Sequence, residues 1–312
     1  MKAFIEEVGN LLKIPRRDLI EKDIILHKLL LSLHENDSFC NNFLFKGGTC
    51  LIKSYLDYYR FSEDIDFTWY NQSVFEKKSQ KEIREYLSDI IDEVGDIFES
   101  INEETDFVCD KSDRKYVELG GSNKTATFKL WYDSKILKYT TFVKVQINFV
   151  EKIIYPPSIR ELNSLLSGYG CKELKSLFPN EYKEYCKKIF FPTYDIKEIL
   201  CEKVRAILTR RGIKARDFVD IYLISKVFDI DVAEIRSQII DKTTFILTMY
   251  EKYRKNLEEK IYLLDSGDVF EWGREKNLLL QEINETEFYN FMETFTGTLK
   301  DIAMDIHQKH HL

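Results

Sequence analysis

The chain is poor in the residues that build linkers, disulfide scaffolds and membrane spans. Of its 312 residues only 5 are proline and 12 are glycine, so long helices are expected and a glycine pair needs a local reason. The six cysteines are widely spaced without a CxxC pair, which argues against a disulfide scaffold and a structural zinc site. No uncharged apolar run reaches about 18 residues, so no membrane span is predicted.

The N-terminus also lacks the features of an export signal. The start MKAFIEEVGNLL has two early glutamates and no unbroken apolar run, so we expect no signal peptide. Together with reduced cysteines, this predicts a cytoplasmic protein with no membrane partner. The formal net charge of -7 excludes a generally basic surface for nucleic acid. A local basic patch can still bind RNA, because binding responds to the local field.

What the sequence does contain is a core-forming composition in two differently patterned parts. Hydrophobic residues make up 44% and charged residues 32%, which suits one large domain or two modest ones. Strands and helices alternate up to the pair Pro156-Pro157, and the sequence beyond it is mostly helical. We therefore predict an α+β fold. Residues 1–157 would form a mixed β-sheet with flanking helices, and residues 158–312 a helical bundle.

Hydrophobic periodicity predicts the individual elements. Runs with strand character cover residues 43–45, 64–69, 105–109, 125–132 and 141–149. After a helical first segment, runs with helical character cover residues 49–58, 74–98, 196–211, 214–227, 232–264 and 282–306.

A diglycine turn follows the first predicted strand. The apolar run stops at Lys46-Gly47-Gly48-Thr49, a pattern typical of strand, tight turn and helix. Adjacent glycines let the backbone approach a ligand, and N–H groups at a helix start can bind phosphate oxygens, with the Thr49 hydroxyl as a further donor. The spacing is not that of a P-loop, and a lone Gly-Gly pair is more often an ordinary turn.

Asp64 and Asp66 alternate with apolar residues on the next predicted strand. Residues two apart on a strand point to the same face, so both carboxylates can bind one hard divalent cation. Nucleotidyl transfer uses such cations to neutralise phosphate oxygens. Alone, the pair could equally be acids on a solvated edge strand. The turn and the pair together favour a nucleotide site.

Two segments of the chain resemble a known family. FKGGTCLIKSYLDYYRFSEDIDF matches the pattern KGGTxL followed by RxSxDxDF, with Arg60 and Ser62 at the second motif. A second block covers residues 202–206 and 214–220. Both are similar to the AbiEii/AbiGii toxin family of nucleotidyltransferases, which belongs to the polymerase-β-like superfamily and includes the MenT-type toxins.

This resemblance implies a nucleotidyltransferase-type sheet and an enzyme that transfers a nucleotide from an NTP to an acceptor. It implies Mg²⁺ or Mn²⁺ as cofactor, an RNA acceptor such as the tRNA 3′ end, and a toxin of a type IV toxin–antitoxin or phage-defence system with a cognate antitoxin as candidate partner. Asp64 and Asp66 are the expected metal ligands. The expected catalytic residues are Asp64, Asp66, Lys203 and Asp220. The expected nucleotide-binding residues are Lys46, Gly47, Gly48, Thr49, Arg60, Ser62, Lys203, Arg210 and Arg216.

The superfamily pattern is incomplete at one position. Such proteins usually place a third carboxylate on a later strand beside the aspartate pair, and the corresponding position here is Gln146. An amide oxygen can bind a cation but cannot act as a general base near neutral pH. Either a different acid serves, or the metal activates the acceptor, or catalysis is impaired. Two alternative functions also stay open. The chain could be a nucleotide-binding regulatory or partner module that has lost catalysis, or an enzyme whose acceptor is a protein or a small molecule.

A block of cations precedes two aspartates in the helical part. Lys203 and Arg210 are seven apart, so they share a helix face and could reach the β- and γ-phosphates. Asp217 and Asp220, three apart, also share a face. They could support Lys203, Arg216 or Arg60, orient the acceptor, or substitute for the missing third acid. The other cations could contact an RNA backbone or form a solvated face. The acid-free run of six consists of Lys203, Arg205, Arg210, Arg211, Lys214 and Arg216.

Overall fold

The computed structural model describes residues 1–267 and 269–310, so positions 268, 311 and 312 of the second predicted domain lie outside the described residues. The chain forms two compact units. Unit 1 comprises Met1–Val150 and Pro157–Thr193, and unit 2 comprises Glu151–Pro156 and Tyr194–Leu312. Residues 157–193 therefore pack with unit 1, beyond the boundary expected at Pro157. The division into an α/β unit of residues 1–157 and a mainly helical unit of residues 158–312 stays a prediction.

Unit 1 is built on a mixed β-sheet of seven strands, which confirms the predicted α+β class. The spatial order is β3-β4-β5-β2-β1-β7-β6, where β2 pairs parallel with β5, β1 pairs parallel with β7, and the other neighbours are antiparallel. The strands are β1 Phe43–Lys46, β2 Asp64–Trp69, β3 Val117–Gly120, β4 Thr125–Asp133, β5 Thr140–Asn148, β6 Ser158–Leu162 and β7 Ile189–Thr193.

The longest helix of unit 1 begins at a capping motif. The helix after the second strand starts with a capping box, in which the Ser79 side chain accepts from Glu82 N–H and the Glu82 side chain accepts from Ser79 N–H. A 3-10 turn covers Gln72–Phe75. The helices are α1 Lys2–Leu11, α2 Arg17–Glu35, α3 Asp37–Asn42, α4 Gly47–Ser54, α5 Gln80–Glu104, α6 Lys172–Leu177 and α7 Pro179–Tyr185.

The sheet of unit 1 has one buried and one half-exposed face in its β4–β5 region. Side chains alternate between buried and half-exposed along both strands, as period-two patterning requires. The buried side packs a set of aromatic rings in edge-to-face or tilted contact, which is the favoured geometry for such pairs. Members of this aromatic core include Phe39, Phe45, Phe67, Phe98, Phe128 and Phe191. The polar residues of these strands lie on the other, accessible side.

Asp23 is the centre of a buried polar network inside unit 1. Lys53 Nζ on α4 lies 2.9 Å from Asp23 Oδ1 on α2, and the hydroxyls of Tyr58 and Tyr185 donate to the same carboxylate. His27 is 1% exposed and packs against the Tyr185 ring. Its burial, with a smaller effect of the Lys53 charge, lowers the pKa of His27 to about 3. The network therefore anchors α4 on α2 and keeps His27 neutral near neutral pH.

Unit 2 is helical. Its first helix contacts the next three, and a cluster of aromatic side chains including Phe218, Phe270 and Phe288 fills its core. The connecting segment 151–156 is tied to the first of these helices, because Glu198 accepts from the main-chain N–H groups of Ile154 and Tyr155 at 2.9 and 2.8 Å. A 3-10 turn covers Arg274–Leu278. The helices are α8 Ile196–Thr209, α9 Ala215–Phe228, α10 Arg236–Met249, α11 Glu251–Ser266 and α12 Glu285–His310.

Several predicted elements differ from the structure. The helix expected at 74–98 covers Gln80–Glu104 and is preceded by the 3-10 turn. The helix expected at 49–58 begins at Gly47 and ends at Ser54. The strand expected at 105–109 pairs with β4 only at Val108. The single helix expected at 232–264 is two helices, because Tyr250 adopts an extended backbone between them. None of the helices within residues 1–267 and 269–310 is long and apolar enough to cross a membrane.

Candidate active site

The turn between β1 and α4 is tight enough to require glycine. Gly47 has a φ of +76°, in the left-handed region that side chains disfavour. Lys46 is the N-cap residue of α4, and its side chain does not cap the helix. The first main-chain N–H groups of a helix have no acceptor inside that helix. The helix start therefore offers main-chain donors and the positive end of a helix dipole, which together suit an anion.

Asp66 lies directly against this turn. A Cβ added to Gly47 would come within 2.9 Å of both Cβ and Cγ of Asp66, and closer still to its carboxylate. No ordinary side chain at position 47 can coexist with this placement. The sequence placed the turn and the aspartate on consecutive elements, and the structure brings them into contact.

Strand register sets the neighbours of both aspartates. Asp66 lies opposite Lys46 on β1 and opposite Gln146 on β5, while Asp64 lies opposite Lys144 on β5. Registered residues on adjacent strands share a face, and their strands lie about 4.8 Å apart. Asp64 and Asp66 are both half-exposed, so their carboxylates lie on the accessible face of the sheet.

Thr49 and Ser62 hold the turn against the start of β2. The hydroxyls of Thr49 and Ser62 lie 2.8 Å apart, and Thr49 donates to the main-chain carbonyl of Asp64. Thr49 is only 1% exposed. The geometry thus gives the Thr49 hydroxyl a positioning role, and its contact with a phosphate stays a prediction.

Arg60 is buried beneath the same turn. It is 1% exposed, donates from Nη1 to the carbonyl of Phe61 at 2.8 Å, and lies 5.6 Å from the centroid of the Tyr59 ring. A Cβ added to Gly48 would lie 2.8 Å from Arg60 Nη2. A fixed positive charge therefore stands next to the diglycine, where it attracts an anion. Lys46, 4% exposed, adds a second buried cation at this turn.

The donor set fits a divalent cation only in part. Asp64 and Asp66 share a strand face, and Gln146 occupies the position where a third carboxylate was expected. Within the described ranges no group of three or more His, Cys, Asp or Glu residues could hold a metal ion. Two carboxylate oxygens remain suitable hard ligands when water and phosphate oxygens complete the coordination shell. The aspartate pair is therefore a partial site that a nucleotide's own oxygens would complete.

Unit 2 contains a separate cluster around Lys203. The Lys203 ammonium lies 2.9 Å from Asp217 Oδ1 and 2.7 Å from Asp220 Oδ2, and Arg210 also donates to Asp217. Asp217 and Asp220 are nearly inaccessible, at 2% and 0% exposure. Burial opposes ionisation of Asp217, but the charges of Lys203 and Arg210 outweigh it and lower the pKa of its carboxyl. The two aspartates thus support Lys203, one of the roles considered from the sequence.

The other cations of the block have different surroundings. Arg205 is held by Glu151 at 2.9 Å and by Glu202 at 3.2 Å, and Arg216 lies 3.4 Å from Glu275. Arg205 is therefore part of the packing of unit 2. Arg211 is exposed, and burial lowers the pKa of Lys214, with help from the neighbouring arginines. The nucleotide contacts expected for Lys203, Arg210 and Arg216 stay predictions.

Lys144 was missed by the sequence reasoning. It faces Asp64 across β2 and β5, and period-two parity from Gln146 on the same strand could have indicated it.

Comparisons with known proteins identify the class and the family. The sequence profile described as "Nucleotidyl transferase AbiEii toxin, Type IV TA system" matches residues 28–306. The chain is therefore a nucleotidyltransferase. It belongs to the AbiEii toxin family, and this membership implies an NTP substrate and an antitoxin partner.

Two solved structures from Helicobacter pylori are among those that match this chain. JHP933 has 15% identity and a TM-score of 0.44, and the alignment covers 94% of this chain and 93% of that one. A second H. pylori protein, provisionally described as a nucleotidyltransferase, has 16% identity and a TM-score of 0.42, with coverage of 95% and 97%. The comparison with curated proteins found no match.

Proposed function

We propose that this enzyme transfers a nucleotide from an NTP to an RNA acceptor, with the 3′ end of tRNA as the first candidate, and that this transfer is its toxic activity. The observation that carries the proposal is the contact of Asp66 with the Gly47 turn, because it joins a carboxylate pair to main-chain donors in one place. Membership of the toxin family supports the biological role.

Each residue of the turn and strand has a distinct task in this proposal. Asp64 and Asp66 would hold a divalent cation, Mg²⁺ or Mn²⁺, which when bound supplies positive charge to the phosphate oxygens. The N–H groups of Gly47 and Gly48 bind the triphosphate, with Arg60 as a fixed charge behind them. Ser62 and Thr49 keep the turn and the strand in register. Preorganised donors of this kind favour the transition state because they need not reorient as charge develops.

Deprotonation of the acceptor hydroxyl is not assigned to β5. Gln146 is an amide and cannot take a proton near neutral pH. The acidic residues beside the Gly47 turn and Gln146 on this face are Asp64 and Asp66. The acceptor proton therefore leaves to one of these carboxylates or to water.

Labelled-NTP transfer tests the proposal. Purified protein is incubated with each radiolabelled NTP, divalent cation and total RNA, and the RNA is separated by electrophoresis. Wild type should label a band of tRNA length, and Asp64→Asn and Asp66→Asn should each reduce labelling by about 10³-fold or more, since both ligands act as one unit. The exposed Asp57→Asn is the matched control in the same unit and should label as wild type does.

The alternatives have distinct outcomes in the same experiment. Label on protein or on a small molecule would replace the acceptor and keep the enzyme. Binding of NTP without any labelled product would favour the regulatory module, and a gain of transfer in Gln146→Glu would then trace the loss to the amide. Full activity in both aspartate variants would refute the assigned roles.

A further inference from the structure

The accessible face of β4 and β5 continues outward from the aspartate pair. Asp64 lies opposite Lys144, which lies opposite Lys129 on β4. Phe142 and Trp131 form the next cross-strand pair along the same two strands, two residues further on. Because same-face residues recur every second position, these side chains share the face of Asp64 and Asp66.

Aromatic rings and lysines alternate on this face. The Trp131 and Phe142 ring centroids lie 4.7 Å apart, and both side chains are half-exposed. The ammonium groups of Lys129 and Lys144 lie 5.7 and 5.9 Å from the Phe142 ring, and that of Lys115 lies 4.8 Å from the Trp131 ring. Half-exposed aromatics beside cations are unexpected on a sheet face that otherwise carries small polar side chains.

Lysines are concentrated around the two rings in a protein that is acidic as a whole. The chain carries a formal net charge of -7, yet three lysines lie around the two rings. Acids lie near these lysines as well: Glu118 pairs with Lys129 and is 59% exposed, the Asp113 carboxylate accepts from the main-chain N–H of Lys115 at 2.8 Å, and Asp133 lies two residues after Trp131. The individual ammonium groups, rather than the net charge of the face, are therefore the contacts that this surface offers to an anionic chain whose end reaches the aspartates.

The spacing suits successive nucleotides. Same-face positions along a strand are about 7 Å apart, so the Phe142 row lies about 7 Å from the Lys144 row and about 13 Å from the Gln146 row. Aromatic faces accept unstacked bases of any identity, and lysines track the phosphates between them. A duplex keeps its bases stacked internally and cannot use such rings.

We propose that Lys115, Lys129, Trp131, Phe142 and Lys144, together called the acceptor platform, bind the last single-stranded nucleotides of the acceptor RNA. A base stacks on the Trp131–Phe142 pair, and backbone phosphates lie on the lysines. The terminal hydroxyl then points along β5 toward Asp64 and Asp66. This inference rests on the proposed function for its acceptor, but the surface makes its own prediction about RNA binding.

Equilibrium binding of a short, fluorescein-labelled, single-stranded RNA tests the platform. The titration is done by anisotropy with full-length protein in EDTA and without NTP. Phe142→Leu keeps an apolar side chain in the sheet but removes the ring, and should weaken binding about fivefold or more. Lys144→Ala should lower the slope of log affinity against log salt by about 0.7, the value for one phosphate contact on a single strand.

Matched controls lie elsewhere on unit 1. Lys188→Ala removes a lysine with a 69% exposed side chain before β7, and Tyr169→Ala removes a ring that is 53% exposed. Both should bind RNA as wild type does. Circular dichroism and thermal melts of all variants establish that the sheet is intact.

Three results would overturn the platform. These are absence of RNA binding in wild type, wild-type affinity and salt slope in both platform variants, and competition by a duplex equal to that by the single strand. Failure of the acceptor platform can be distinguished from failure of the proposed function. Asp66→Asn should bind RNA normally but transfer nothing. Platform-dependent binding without any transfer would refute the function alone, whereas Asp66-dependent transfer unaffected in platform variants would refute the platform alone.

Discussion

Replacing Gly47 by alanine tests the geometry on which the site depends. The residue has a φ of +76°, and a Cβ there would come within 2.9 Å of Asp66 Cβ and Cγ. The substitution therefore has two separable effects. It forces a side chain into the left-handed region, and it displaces the Asp66 carboxylate.

The two effects have different magnitudes. The left-handed backbone should cost about 1–2 kcal/mol, and overpacking against Asp66 about 1–3 kcal/mol more. The free energy of unfolding should thus fall by about 2–5 kcal/mol in total. Catalysis should suffer more, because a displacement of about 1 Å at a reacting centre can reduce the rate about 10²-fold.

Gly168 provides a matched control. Its φ is +83°, and a Cβ there would meet nothing within 4 Å. Gly168→Ala should therefore incur the backbone cost alone and keep full transfer activity. Urea unfolding gives the free energy of unfolding of each variant. The difference between the two values is the cost of the steric overlap with Asp66.

Activity is then measured as kcat/KM for labelled NTP at a temperature where every variant is folded. We expect a loss of about 10²-fold for Gly47→Ala. If Gly47→Ala is folded and its kcat/KM equals that of wild type, contact between Asp66 and the turn is irrelevant to catalysis and the proposed site is wrong.

Two further predictions concern stability. His27 has a folded pKa of about 3 against about 6.5 unfolded, so the unfolded state binds protons more readily and the free energy of unfolding falls as pH drops below about 6.5, by about 2 kcal/mol between pH 7 and 5. Urea titrations should show that His27→Gln loses this contribution and the half-exposed His34→Gln keeps it; equal pH dependence in all three proteins would contradict the burial argument. Lys203→Ala leaves Asp217 and Asp220 buried without their shared cation, so the free energy of unfolding should fall by about 3–5 kcal/mol. Lys203→Met combined with Asp220→Asn should recover most of that loss, and an unchanged unfolding midpoint in Lys203→Ala would show that the cluster is not stabilising.

The predicted helices and strands were right where the period was long and uninterrupted. Strands β4 and β5 alternate over nine residues each, so local pattern was enough there, whereas the helix predicted at 74–98 covers Gln80–Glu104. Prediction failed where local composition suited an element that the chain does not form. The run at 105–109 has strand composition, yet only Val108 forms a bridge to β4. Tyr250 breaks a continuous helical pattern that has no glycine or proline at that point.

The candidate site, too, was predictable from the sequence only in part. Strand parity by itself put Asp64 and Asp66 on one face, because alternation of side chains is a local property of extended backbone. The diglycine and its position after an apolar run could likewise be identified from the sequence. Contact between the turn and Asp66 was not, because it depends on β1 and β2 pairing in one register, with Lys46 opposite Asp66.

Only the tertiary structure shows which cations are paired with acids and which are exposed. Six cations between positions 203 and 216 look equivalent in the sequence, yet Lys203 is held between two buried aspartates, Arg205 is held by Glu151, and Arg211 is exposed. Lys144 and Lys129 joined the face of the aspartates only when distant strands paired. Local sequence determines which way a side chain points on its own element, whereas its partner, and so the field it experiences, is set by segments far away in the chain.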